Sequence, residues 1–297
     1  MLYVETIAEL REHCDRTRRD GRTVGVVPTM GYLHEGHRAL MRAARERCDF
    51  VVVTIFVNPL QFGAGEDLDR YPSDLTGDLA QCEAEGVDCV FAPARAEMYP
   101  RPVLTTVHVE RLTEGLCGAT RPTHFDGVAT VVAKLFSIVG PSAAFFGRKD
   151  AQQLAVVTRM ADDLNLPVEV VGCPLVREAD GLALSSRNAY LSPEQRAAAP
   201  VLFDALRVAA NAVVEGERDS QRLRDVITQT VGRAPGVDLE YVEISDAHDI
   251  TPLDAVNGDV LVALAARLGG TRLIDNIRLA VWGEDVEVDL GTGFVQA

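Results

Sequence analysis

The apolar positions of this chain take two recurring forms. Some are short continuous runs rich in β-branched and aromatic residues. Others are longer stretches in which apolar residues return at helical spacing. Glu5–Arg19 has the helical form and is closed by Gly21. Val24–Val27 is a buried strand, Pro28–Gly31 a tight turn, and an amphipathic helix begins at about Glu35. Phe50–Val57 (FVVVTIFV) is near-continuously apolar, as expected of a strand covered on both faces. It ends at Asn58-Pro59, and a glycine-containing loop runs to Pro72. Asp74–Glu85 reads as a helix and Asp88–Ala92 as a short strand, while the alternation of Thr105–Val109 fits an edge strand. His124–Val139 is helical, Ala143–Phe146 a strand, Asp150–Leu164 a helix and Val168–Gly172 a strand.

Strands alternating with helices imply right-handed crossovers and an α/β, Rossmann-like, doubly wound parallel sheet. In such sheets ligands bind beyond the carboxyl ends of the strands. The loops Pro28–His37, Asn58–Tyr71 and Gly147–Asp150 all follow apolar strands and are expected on one rim. The pattern changes near Pro174. Ser192-Pro193-Glu194-Gln195 is a capping box with proline at the first helical position. The helical stretch it opens runs to about Gly216, bent or interrupted at Pro200. A helix at Ser220–Arg233 and strands at Asp238–Ser245, Asp259–Arg267 and Arg272–Asn276 complete a smaller C-terminal α+β domain. The expected division is therefore 1–175 and 176–297, with Gly291–Ala297 a loose tail.

Composition narrows the classes. A chain of 297 residues, 47% hydrophobic, can bury one large or two modest cores. The net charge of −15, from 29 Lys+Arg against 44 Asp+Glu, argues against a broad nucleic-acid surface. It leaves small anionic ligands open, since a few local cations suffice. The six cysteines are scattered without a C-x-x-C pair, as in a reduced cytoplasmic protein. The N-terminal residues carry no signal-peptide core, and no apolar run approaches the ~20 residues of a membrane span.

The chemistry centres on VGVVPTMGYLHEGHRALMRAAR, Val24–Arg45. It places His34 and His37 three residues apart where a helix begins. A helix N-terminus presents unpaired N–H groups and partial positive charge, and is a ready anion site. Imidazoles there can hydrogen-bond phosphate oxygens, and Gly31 and Gly36 permit close approach. The same i, i+3 pair could be half of a metal site, but no H-E-x-x-H or third ligand lies nearby. In FFGRKDAQQL, Gly147, Arg148, Lys149 and Asp150 fall at a strand-to-helix junction, with Gln153 one turn on; alone, Arg148 and Lys149 read as a solvated pair. In LALSSRN, Ser185, Ser186 and Arg187 suit triphosphate oxygens, yet alone they read as a hydroxyl turn with a surface arginine. Asn58 and Gln61 in NPLQF suit a hydroxyl and a carboxylate beside an apolar body, although Asn-Pro is also a simple turn signal. P-loop, dinucleotide and G-x-S-x-G signatures are absent from the sequence.

The H-x-G-H turn resembles the signature of the nucleotidyltransferase superfamily. Together, PTMGYLHEGH, FVNPLQF, LCGATRPTHFDGVATVVAKLF, FFGRKDAQQL, LALSSRNAYLS and AARLGGTRLIDN resemble, in order and over almost the whole chain, the pantothenate synthetase family. That resemblance implies ligation of pantoate to β-alanine with ATP and Mg²⁺, through a pantoyl-adenylate, in a cytoplasmic homodimer. It implies that 1–175 binds nucleotide and pantoate and that 176–297 acts as a lid, with Phe62–Tyr71 a second candidate cover. Carried over residue by residue, Met30, Gly31, Tyr32, Leu33, His34, Glu35, Gly36 and His37 line the ATP site. Gly147, Arg148, Lys149, Asp150, Val176, Leu184, Ser185, Ser186 and Arg187 also bind nucleotide. His34, His37, Lys149 and Arg187 are the expected catalytic groups. Gln61 and Gln153 hold pantoate, and Gln61 lies near β-alanine. The resemblance implies no metal ligand from the protein, Mg²⁺ being carried by the phosphates. Its partners are small molecules, not nucleic acid or membrane. Thr123 departs from the family's RPGHF motif, where glycine is expected. Rival readings are an AMP transfer to a phosphorylated acceptor, a tRNA-charging enzyme, or a nucleotide-binding regulator without turnover.

Overall fold

The computed structural model describes residues 1–63, 65–66 and 68–295, in two compact units: Met1–Arg148 with Gln152–Cys173, and Lys149–Ala151 with Pro174 onward. Ala64 and Asp67, in the expected cover loop, and the final residues Gln296 and Ala297 lie outside the described residues.

In the first unit the strands and helices are β1 (Leu2–Val4), α1 (Ile7–Arg19), β2 (Val24–Thr29), α2 (Glu35–Arg47), β3 (Phe50–Ile55), α3 (Leu75–Ala84), β4 (Cys89–Phe91), α4 (Arg95–Met98), α5 (Leu116–Thr120), α6 (His124–Val139), β5 (Ser142–Gly147), α7 (Ala151–Asp163) and β6 (Val168–Cys173). The six strands form one parallel sheet in the order β1-β4-β3-β2-β5-β6. The order reverses between β2 and β5, which makes that position the topological switch point. Because β3, β2 and β5 are parallel neighbours, the segments leaving Ile55, Thr29 and Gly147 do share one rim, as expected from the alternation. Val26, Val27, Val51, Val52 and Val53 are fully buried, which explains their lack of polar alternation.

Three local expectations are corrected. β2 continues through Pro28 to Thr29 instead of turning at Pro28; its registered pairing to β5 stops at Val26, so the missing proline N–H removes no bond there. Thr105–Val109 is no strand. Val107 N donates to Thr130 Oγ1 of α6 and His108 bonds Asp126, so this stretch is tied to a helix. Thr6 supplies a capping box with Glu9, starting α1 at Ile7 instead of Glu5.

The second unit contains β7 (Val176–Glu178), α8 (Pro193–Ala198), α9 (Val201–Val214), α10 (Ser220–Val231), β8 (Val237–Asp246), β9 (Gly258–Leu268), β10 (Thr271–Trp282), β11 (Asp285–Asp289) and β12 (Thr292–Val295). Its main sheet is antiparallel, ordered β11-β10-β9-β8. Leu202, Leu206, Ala209 and Val213 of α9 pack with Val260, Val262, Leu264, Leu273 and Ile277 in its core. The Ser192–Gln195 capping box is present, and Pro200 separates α8 from α9. Taken together, Pro193–Val214 is a 22-residue helical stretch apolar enough to cross a membrane by length and composition, contrary to the sequence expectation. Its apolar face is spent on this core. The expected loose tail is also corrected: Thr292–Val295 pairs in parallel with Val176–Glu178.

Candidate functional site

The site begins where β2 ends. Thr29 Oγ1 donates to Thr54 O (2.7 Å) on β3 and accepts from Gly31 N (3.2 Å). Gly31 has φ +83°, and a Cβ there would meet Asp78 Oδ2 at 2.9 Å and Ile55 Cγ2 at 3.0 Å. Tyr32 follows at φ +52°. This doubly left-handed turn is held by Asp78, which accepts from Tyr32 N (2.9 Å) and Leu33 N (2.7 Å). Asp78 is 2% exposed. Burial pushes its carboxyl above the usual range, opposed by those two N–H bonds. Sequence reasoning missed Asp78, because an acid in the first turn of α3 reads as ordinary dipole complementarity.

The two histidines form an imidazole capping box at the start of α2. His34 Nδ1 accepts from Gly36 N (3.1 Å), and His37 Nδ1 accepts from His34 N (3.3 Å). The rings lie 4.1 Å apart at 39°. A nitrogen that accepts a backbone N–H carries no proton, so the proton of each ring sits on Nε2. Both histidines thus cap the helix with one nitrogen and carry a donor proton on the other. Met30 to His37 accordingly occupy one turn and helix start, at the switch-point end of β2.

After β3, a single 3₁₀ turn, Pro59–Gln61, is capped by Asn58. Asn58 is buried and saturated. Its Nδ2 donates to Gln61 Oε1 (3.0 Å) and Gly127 O (3.1 Å); its Oδ1 accepts from Tyr99 Oη (2.8 Å) and Leu60 N (3.3 Å). Burial pushes the Tyr99 phenol up to about 12, so it remains a donor. Asn58 therefore orients Gln61 instead of offering its own amide to a ligand. With Oε1 engaged, Gln61 presents its Nε2, which reaches Met30 Sδ at 3.2 Å. That contact joins the β3 loop to the β2 turn.

The Arg121–His124 turn closes over this segment. His124 Nδ1 lies 2.8 Å from Gln61 O, and Arg121 donates to Gln61 O (3.3 Å) and to both oxygens of Glu66 (2.7 and 2.5 Å). The Arg121 guanidinium holds the Glu66 carboxyl below its ordinary value. Thr123 sits at φ +71°, ψ −10°, in the left-handed region as N-cap of α6. The backbone a glycine would favour is thus kept with threonine in place.

At the end of β5, Gly147 leads into a 3₁₀ turn, Arg148–Asp150. Gly147 and Arg148 belong to the first unit, on the same rim as the histidine turn. Lys149 and Asp150 group with the second unit; Lys149 Nζ lies 3.6 Å from Asp150 Oδ1, and Lys149 O accepts from Asn276 Nδ2 (2.8 Å). Gln153 is half-buried in the first turn of α7. Its neighbour Gln152 is buried and ties Leu112 O, Gly115 O and Cys117 N together. In the second unit Leu184 N donates to Val176 O (3.0 Å), and Ser185 caps the Ser186–Tyr190 turn through Arg187 N (3.3 Å). Among the described residues no three His, Cys, Asp or Glu side chains are grouped to hold a metal ion.

A parallel doubly wound sheet with a histidine-capped helix terminus at its switch point, and an oriented glutamine after the neighbouring strand, defines a Rossmann-like α/β class. The family model described as pantoate-beta-alanine ligase matches residues 2–278, and the chain belongs to that family. The chain is 59% identical over 281 residues (95% of this chain, 100% of the relative) to a pantothenate synthetase of Heliobacterium modesticaldum. It is similar to the crystal structure of pantothenate synthetase from Thermus thermophilus, with TM-score 0.89, 49% identity, and coverage of 93% of this chain and 98% of that one. It is also similar to a Francisella tularensis pantoate-beta-alanine ligase complexed with beta-gamma ATP and beta-alanine, with TM-score 0.76, 31% identity, and coverage of 93% and 97%.

Proposed function

We propose that this chain condenses pantoate with β-alanine at the expense of ATP, through a pantoyl-adenylate, and releases AMP and pyrophosphate. The observation that carries the reading is the imidazole capping box, which fixes a donor nitrogen on each of two rings at a helix N-terminus. A pantoate carboxylate oxygen attacks the α-phosphorus, and the bond to the bridging oxygen breaks with pyrophosphate. The amine of β-alanine then attacks the acyl carbon; AMP leaves with its oxygen, and the amine gives up a proton. His34 and His37 donate Nε2–H hydrogen bonds to phosphate oxygens as charge gathers in the first step, and the Lys149 ammonium adds a positive charge.

Gln61, oriented by Asn58, offers its amide N–H to the acid, and Gln153 completes the pantoate contacts. Val176, Leu184, Ser185, Ser186 and Arg187 enter through the family resemblance as nucleotide-binding groups, with Arg187 catalytic and the second unit as lid. Mg²⁺ would be carried by the triphosphate oxygens and would offset their charge. Cytoplasmic location and homodimer assembly belong to the same reading, as do small molecules rather than nucleic acid or membrane as partners; the charge of −15 supports the exclusion of nucleic acid. Incubation with ATP, Mg²⁺ and pantoate, with and without β-alanine, tests it. Pyrophosphate released only with pantoate, and AMP with pantothenate only when β-alanine is added, is the expected result. AMP formation indifferent to the acid overturns it.

A further inference from the structure

The second unit buries an ion pair in the layer between its sheet and α9. Arg177 and Asp275 are each 2% exposed and bond at 2.7 and 3.0 Å. All five guanidinium N–H groups are used: Nε to Leu290 O (2.5 Å), Nη1 to Gly181 O (3.0 Å) and Asp275 Oδ2, Nη2 to Asp275 Oδ1 and Asn276 O (3.1 Å). The guanidinium also stacks 4.2 Å over the Phe203 ring. Burying two charges seldom adds stability over an apolar pair of the same volume, so the gain is one of geometry. What the pair fixes is the backbone at Asp275 and Asn276: Arg177 holds the Asn276 carbonyl, and Asp275 Oδ1 accepts Asn276 N (2.7 Å). Successive strand residues face opposite ways, so locking Asp275 into the helix-side core commits Asn276 to the other face of β10. There Asn276 Nδ2 reaches Lys149 O at 2.8 Å.

The geometry points to Asn276, locked by the Arg177–Asp275 pair, as the positioning residue for Lys149. The inference rests on the proposed role of Lys149 in adenylation. Lys149 lies in a 3₁₀ turn with no regular ladder of its own, and a carbonyl pinned by a buried amide sets the start of its side chain.

The test measures pyrophosphate release from ATP, Mg²⁺ and pantoate by the full-length chain and its Lys149→Ala, Asn276→Leu, Asn276→Ala and Lys149→Ala/Asn276→Leu variants, with Tm and circular dichroism for each. Asn276→Leu is expected to lower kcat roughly 10- to 100-fold, with KM for β-alanine in the full reaction within roughly threefold of wild type. In the Lys149→Ala background it is expected to add nothing, because a residue acting through Lys149 has nothing left to act on. Asn276→Ala adds no bulk and carries the same expectation should the leucine variant fail to fold. Loss that multiplies through the double variant overturns the inference, as does unchanged kcat in Asn276→Ala. Wild-type kcat in Lys149→Ala instead overturns the reading beneath it.

Discussion

Replacing Gly127 with alanine sets two effects of opposite sign against each other. Gly127 lies inside α6 with ordinary helical backbone, and by propensity alone the change stabilises by about 1 kcal/mol. An added Cβ, however, falls 2.2 Å from Leu60 O, 2.4 Å from Leu60 C and 2.6 Å from Gln61 N. All three are backbone atoms, which cannot rotate away. Ordinary contact begins at 3.4 Å, so α6 and the Pro59–Gln61 turn must separate by about 1 Å. Overpacking of this kind costs about 1–3 kcal/mol, and the Asn58–Gly127 bond, worth about 1 kcal/mol, is stretched with it.

The net expectation is a loss of about 1–3 kcal/mol, read as a Tm lowered by roughly 2–4 °C per kcal/mol. Gln61 rides on the displaced turn, so kcat/KM for pantoate is expected to fall roughly 10- to 100-fold. KM for ATP is expected to change less, since the Met30–His37 turn is held chiefly by Asp78 and meets the displaced segment through the Gln61–Met30 contact. Thermal unfolding and initial rates with varied pantoate are the assays. A Gly127→Ala protein at least as stable as wild type, with unaltered pantoate kinetics, refutes the argument.

His34→Asn separates capping from chemistry: the asparagine oxygen can accept Gly36 N, so Tm should stay within a few degrees, while pyrophosphate release falls on the order of 10²-fold or more. Thr123→Gly relieves a left-handed β-branched residue and is expected to stabilise by about 0.5–1 kcal/mol after the extra chain entropy of glycine is subtracted, which chemical denaturation measures. The Glu66 carboxyl titrates lower in the folded chain than in the unfolded one, chiefly through its hydrogen bond to Arg121. Its stabilisation is therefore present above the ordinary glutamate value of about 4.3 and lost as pH falls through the lower folded value. Wild type should unfold at higher urea than Glu66→Gln at pH 7, with the gap closing in acid; a gap independent of pH contradicts the ion pair.

The features legible in the sequence are those whose cause is local. The continuous run at Phe50–Ile55 marked a strand covered on both faces, the Ser192–Gln195 box marked a helix start, and the H-x-G-H spacing marked a helix terminus. The illegible ones depend on partners far along the chain. Asp78 reaches Tyr32 and Leu33 across more than forty residues, and Arg177 meets Asp275 across 98. Asn58 looked like a recognition residue because its chemistry suits one; only Gly127 O and Tyr99 Oη reveal that its amide is already spent. Thr105–Val109 alternates like a strand because it lies on α6, which gives one side of it cover without giving it a ladder.

The same pair of histidines explains why this rim uses imidazole where a lysine would carry more charge. A helix N-terminus is itself positive, and a cation at the first turn is repelled by it. An imidazole that accepts the orphan N–H at Nδ1 instead satisfies the helix and leaves Nε2 as the donor. In the proposed reaction an anion would meet donors whose orientation was set during folding, leaving little reorganisation for the moment of adenylyl transfer. In the proposed reaction the full positive charge is assigned to Lys149, whose carbonyl is held by Asn276. On that reading the neutral donors and the cation are held by different backbone segments, so His34→Asn and Asn276→Ala are expected to impair the reaction independently.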